Sequence, residues 1–177
     1  MSAQGNALGT GHTQTQALKW RNSEGHHMPQ SLSKIAIHLV FTTKNRQPVL
    51  GDNIRDELHR YMGGILTNME SPALAIGSVA DHVHVLCLLS RNVSVAKLVE
   101  QLKTGTSKWL KTKGEALATF YWQSGYGAFS VSESNMDQVK AYIANQAEHH
   151  RKTSFQDEYR VFLRKHNIDY DERYVWD

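Results

Sequence analysis

The sequence holds a single cysteine, Cys87, and one thiol cannot build an internal disulfide framework. A chain without disulfides suits a reducing compartment, so a cytoplasmic location is expected. Long apolar runs are missing too. No stretch approaches the ~18 apolar residues that span a bilayer. The first 30 residues also lack the apolar segment of a secretory signal. No internal repeat is long enough for a solenoid. Strong charge of either sign is absent: 20 Lys and Arg stand against 17 Asp and Glu, a net charge of +3. That balance permits an acidic partner such as nucleic acid without requiring one. What remains is a chain of 177 residues, enough for one domain with a proper core.

Residues 1–27 are rich in Gly, Thr, Gln, Asn and His and show no hydrophobic period. They predict a disordered extension ahead of a domain over residues 28–177. Beyond them the pattern becomes regular. Alternation predicts a first strand over residues 35–42, with Ile35, Ile37, Leu39 and Phe41 on one face and His38 on the other. Asp52 is placed to cap a helix whose apolar side is Ile54, Leu58, Tyr61, Met62, Ile65, Leu66 and Met69, with Tyr61 read as core. Strands over 73–79 and 82–89 follow so closely that they form a tight hairpin. Ser94 caps a helix over residues 95–113. Residues 120–123 and 127–131 suggest a fourth strand broken around Ser124, Gly125 and Tyr126. Ser134 and Asp137 resemble a capping box that opens a helix to about residue 151, and a shorter helix occupies 155–165. The order β-α-β-β-α-β gives an α+β, ferredoxin-like fold: an antiparallel sheet with helices on one face, the other face free, and a C-terminal helix and tail.

Candidate chemistry begins at His82-Val83-His84, the place where metal-capable side chains interrupt an apolar run. Residues two apart on a strand share a face, so both imidazoles stand together while Val83, Val85 and Cys87 point into the core. Two imidazoles on a stiff strand make half of a metal site. The later helix adds Tyr142 and Gln146, which at i,i+4 share a helix face. The Gln146 carbonyl can serve as an oxygen ligand. His82, His84 and Gln146 would leave positions open for phosphate oxygens, which suits Mg²⁺ or Mn²⁺ better than a closed structural zinc. Tyr142 is then the candidate nucleophile. Its phenol, with a pKa of ~10, needs help from a metal that polarises the target phosphate.

Five stretches carry a resemblance: His-Leu-Val-Phe-Thr-Thr-Lys at 38–44, Asp-His-Val-His at 81–84, Trp-Gln-Ser-Gly-Tyr at 122–126, Tyr-Ile-Ala-Asn-Gln at 142–146, and the tail Asp-Glu-Arg-Tyr-Val-Trp. In these the chain resembles the single-tyrosine HUH transposases, the small single-strand transposases of bacterial insertion sequences. The resemblance implies His82, His84 and Gln146 as ligands of Mg²⁺ or Mn²⁺ and Tyr142 as the nucleophile. It also implies cleavage and rejoining of single-stranded DNA through a 5′-phosphotyrosine. The implied partners are hairpin-containing single-stranded ends and a second copy of the chain, with the tyrosine serving its own or its partner's histidines. Lys44, Arg46, Lys103, Lys108 and Lys111 are the candidate DNA contacts, set against simple solvation. His149-His150-Arg151 reads as a basic helix end. Two other readings stand beside this one: a non-catalytic single-strand-binding module, and a replication-initiator or relaxase-type nickase.

Overall fold

The computed structural model describes residues 32–176, so the expected extension over residues 1–27 and the domain start at Met28 lie outside it. The elements all belong to the unit that begins at Ser33. In chain order they are β1 (Ala36–Thr42), α1 (Asp52–Asn68), β2 (Ala73–Ser78), β3 (His82–Leu88), α2 (Val95–Leu110), β4 (Gly127–Val131), α3 (Met136–Ala144), α4 (Gln146–His149) and α5 (Phe155–Lys165). The sheet is antiparallel throughout, in the order β2-β3-β1-β4. This is the ferredoxin-like arrangement that the element order predicts.

The period-two pattern divides the sheet into two faces. On one face, Ile37, Leu39 and Phe41 of β1 and Val83, Val85 and Cys87 of β3 pack under Leu58, Met62 and Leu66 of α1 and Leu98 and Leu102 of α2. Burial of each such side chain contributes roughly 1.5–3 kcal/mol, so this layer fixes β3 as a rigid base. Cys87 belongs to it, and burial pushes its thiol up to about 12, leaving it unreactive. Ser94 caps α2 as expected, its side chain accepting from the Lys97 N–H.

The fourth strand is broken where the sequence predicts. Trp122 bridges Thr43, and the Gln123 N–H donates to the Thr42 carbonyl at 2.9 Å; the ladder resumes at Gly127. Lys103 reaches across from α2 and donates to the carbonyls of Gln123, Ser124 and Gly125 at 2.7, 3.1 and 2.6 Å, which satisfies the backbone of the break.

The second face is covered, where the sequence pattern predicts a free one. Phe155, Tyr159, Phe162 and Leu163 of α5 repeat at helical spacing and pack on Val40 and Phe129. An apolar stripe of that width needs a surface to bury against, and the unoccupied side of the sheet supplies it. Other expectations are corrected locally. Gly51, not Asp52, is the N-cap of α1, and Asp52 instead pairs with Arg55 at 2.6 Å in the first turn. Ser134 lies inside a 3₁₀ turn over Glu133–Asn135 that runs straight into α3, so it caps nothing. Tyr61 is 38% exposed and stacks on Trp109 at the edge between α1 and α2. The single helix expected through residue 151 breaks at Asn145, which ends α3 and opens α4.

Candidate active site

β3 sets two imidazoles on the second face. His84 pairs with Val40 and Gly77, and His82 pairs with Thr42, so both rings lie in the middle of the sheet and are fully buried. Each is held through its Nδ1. The His82 Nδ1 lies 2.7 Å from Asp81 Oδ1. The His84 Nδ1 lies 2.9 Å from the Nε2 of His38, its diagonal neighbour on β1. The carboxylate on Nδ1 holds His82 in the tautomer that leaves an Nε2 lone pair for a ligand, and the His38 contact orients the His84 ring with its Nε2 directed away from β1 toward the same site.

The segment after β4 brings the rest. His150 Nε2 lies 2.9 Å from His82 Nε2. Glu158 Oε2 lies 3.5 Å from His84 Nε2, 3.8 Å from His82 Nε2 and 3.3 Å from His150 Nε2. One donor atom from each of His82, His84, His150 and Glu158 falls within 4.8 Å of all the others, the spacing of a metal site. Gln146 stands beside them, buried, with its Nε2 3.5 Å from Glu158 Oε1. His150 and Glu158 were not assigned to the site from sequence. The signals were present: His150 follows Gln146 at i,i+4, and Glu158 interrupts the apolar stripe Phe155, Tyr159, Phe162.

Electrostatics fit a cation. Burial lowers His38 and His150 each to about 4, with His166 and His82 adding to the effect respectively. Burial also takes His84 well below its ordinary value, reinforced by His82. These rings are neutral at physiological pH, the form that ligates metal. Burial, and then Asp81, push the Glu158 carboxyl up to about 8. Burial acts on Asp81 in the same direction, but its hydrogen bond to His82 and the charge there outweigh it and hold the carboxyl low. The buried atoms His84 Nε2, Gln146 Oε1 and Glu158 Oε2 have no hydrogen-bond partner. Buried polar atoms without a partner are costly unless a cation satisfies them, and His84 Nε2 and Glu158 Oε2 belong to the four-residue cluster, so these residues fit a metal.

Tyr142 reaches the same place from α3. Its ring packs edge-on against His84 at 5.7 Å and His149 at 5.3 Å, and its buried hydroxyl has no partner. The approach depends on Gly77. A Cβ built there would meet the Ile143 carbonyl oxygen and Ile143 Cγ2, the latter at 2.8 Å, so any side chain at this position would push α3 off the sheet. Tyr142, Gln146 and the β3 histidines are therefore brought together within one chain.

The basic candidates are scattered. Lys103 is turned inward, donating to its three carbonyls. Burial lowers it to about 8. Lys108 and Lys111 share a shallow groove with Tyr121, and Lys111 Nζ sits 3.7 Å over that ring. Lys44 is exposed in the turn after β1. Arg46 lies over Trp176 at 6.0 Å. Trp122 is core, donating its indole N–H to Thr106 at 2.8 Å.

A ferredoxin-like sheet carrying His-x-His on an inner strand, with a tyrosine helix laid beside it, defines the single-tyrosine transposase class. The family described as "Transposase IS200 like" matches residues 31–146, and the chain belongs to it. It is 23% identical over 118 residues to the ISDra2 transposase TnpA of Deinococcus radiodurans, covering 64% of this chain and 84% of that one. A crystal structure of a Deinococcus radiodurans R1 chain described as a transposase is 25% identical, with a TM-score of 0.53 over 71% of this chain and 98% of that one. A REP-associated tyrosine transposase bound to a REP hairpin shares the fold, with a TM-score of 0.53 at 11% identity over 72% of this chain and 74% of that one. No helix among the described residues is long and apolar enough to cross a membrane.

Proposed function

We propose that this transposase cleaves and rejoins single-stranded DNA at insertion-sequence ends, with Tyr142 as nucleophile and a divalent cation held by His82, His84, Gln146, His150 and Glu158. The observation that carries the proposal is the donor cluster of His82, His84, His150 and Glu158 with the Tyr142 ring packed edge-on against His84 at 5.7 Å, the Tyr142 hydroxyl, His84 Nε2 and Glu158 Oε2 all buried without a hydrogen-bond partner. A bound cation would neutralise charge on the scissile phosphate and polarise it toward attack. The donor set, rich in imidazole, suits Mn²⁺ better than Mg²⁺, which prefers oxygen ligands.

The residues divide the remaining work. Tyr142 Oη forms the new bond to phosphorus, and the bond to the 3′ oxygen breaks. The products are a 5′-phosphotyrosine and a free 3′-OH. We assign the phenol proton to His149, whose buried Nε2 makes no hydrogen bond and lies 3.5 Å from Glu158 Oε1. Water supplies a proton to the leaving oxygen. The phosphodiester energy stays in the tyrosyl link, so a second 3′-OH can displace the tyrosine without a nucleotide cofactor. Hairpin-containing ends are the proposed substrate, in line with the hairpin held by the REP-associated relative. We also propose that the chain works as a homodimer, as the family resemblance implies.

A binding module without chemistry fits less well. It would bury three imidazoles and a carboxylate against one another with nothing to offset their desolvation. The test is incubation of a labelled single-stranded hairpin end with Mn²⁺. A covalent protein–DNA adduct is expected, and Tyr142→Phe should abolish it while keeping DNA binding. An adduct formed by Tyr142→Phe would overturn the assignment.

A further inference from the structure

Beside the metal cluster lies a cavity of about 450 Å³, in the size range of small-ligand sites. Tyr142, His149 and Glu158 line it, so it is continuous with the reacting groups. Its wall is aromatic: Phe129 stacks on Phe162 at 5.3 Å, and His166 lies 4.8 Å from Phe129. Lys165 adds a cation, Glu158 is the one carboxylate in the lining, and Asn135 and Gln138 offer amide groups. Glu158 is 4% exposed and its Oε2 makes no hydrogen bond.

These features match one kind of occupant. Flat rings give a stacking surface that suits any base face. Amides can pair with a base edge. A weakly cationic lining accepts a ligand that carries phosphate. Access also matters, because His82 and His84 are fully buried beneath the C-terminal segment. The cavity touches both Tyr142 and Glu158, so a strand whose base enters it brings its phosphate to the site.

We propose that this cavity seats a single unstacked nucleobase of the DNA strand, the one next to the phosphate presented to Tyr142. The proposal rests on the function argued above, and it adds a protein subsite that reads the strand beside the cleaved bond. Duplex DNA would be excluded unless a base were extruded, which gives a physical reason for a single-strand preference.

The test uses a single-stranded thymidine octamer with one central 5-iodouracil, bound to the full chain carrying Tyr142→Phe so that no tyrosyl adduct forms. Irradiation should cross-link the base to peptides containing Phe129, Phe162 or His166. Filling the cavity from either wall, with Val161→Trp on α5 or Gln138→Trp on α3, should weaken binding of the unmodified octamer roughly 10-fold. An abasic central nucleotide should cost the Tyr142→Phe protein a similar factor and cost the filled variants nothing further. Cross-links confined to Lys108, Lys111 and Tyr121, or binding unchanged in both filled variants, would overturn the cavity assignment. The adduct experiment is independent: adduct formation without these cross-links sinks only the cavity, and cross-links with no adduct in the wild type sink only the chemistry.

Discussion

Replacing Glu158 by glutamine perturbs the proposed metal centre with little change in shape. The buried carboxyl is pushed from 4.5 up to about 8, so the metal-free folded state keeps a proton that the unfolded chain releases. Stability tied to that proton is complete below pH ~4.5, falls as the pH rises, and is fully lost above pH ~8. At ~1.4 kcal/mol per pH unit, the cost at pH ~8.5 is on the order of 5 kcal/mol. Glutamine carries no charge at any pH. Glu158→Gln should therefore melt on the order of 10 °C above the wild type at pH ~8.5 in chelator, and with the wild type at pH ~4.5. Mn²⁺ should reverse that order, because a cation that binds only the folded state stabilises it by mass action and needs the carboxylate. The assay is thermal unfolding followed by circular dichroism at both pH values, with chelator and with Mn²⁺. The reasoning is refuted if the variant melts no higher than the wild type in chelator at the higher pH. It is equally refuted if Mn²⁺ raises both melts by the same amount.

Other perturbations separate the parts of the site. Asp81→Asn removes the carboxylate from His82 Nδ1 and should weaken Mn²⁺ binding by ~10–100-fold in calorimetry, with the fold intact by circular dichroism; unchanged affinity would show that Asp81 does not orient the ring. Gly77→Val should displace α3 and cut adduct formation while β3 stays paired, and a variant that cleaves at the wild-type rate would contradict the close approach. Lys103→Met leaves the carbonyls at the strand break without their donor and should cost ~1–3 kcal/mol in urea unfolding. The salt dependence of DNA binding should stay the same in that variant; a shallower slope would return Lys103 to the phosphate contacts.

The sheet was legible because its inner strands alternate cleanly. Ile37, Leu39 and Phe41 against His38, and Val83, Val85 and Cys87 against His82 and His84, allow only one facing once the core side is chosen. The cover of the second face was not legible. Phe155, Tyr159 and Phe162 announce an amphipathic helix, but periodicity does not say which surface that helix meets. The same limit hid Glu158, since an acid on a charged helix reads as solvated until the helix is docked. His150 was visible only as one of a basic trio at a helix end. The kink at Asn145, with no proline or glycine to mark it, turns that end back toward β3. Local corrections at Asp52 and Ser134 have a smaller cause: a neighbouring Gly51 and a 3₁₀ turn took the capping positions.

The central claim is that Tyr142 carries the DNA between cleavage and rejoining. The most direct measurement is mass spectrometry of the adduct formed with a single-stranded end and Mn²⁺, after nuclease and protease digestion. The account predicts a 5′-linked nucleotide on the peptide that contains Tyr142, and none when His82 and His84 are both alanine. A nucleotide carried by any other residue, or an unchanged adduct in the double alanine variant, would contradict it.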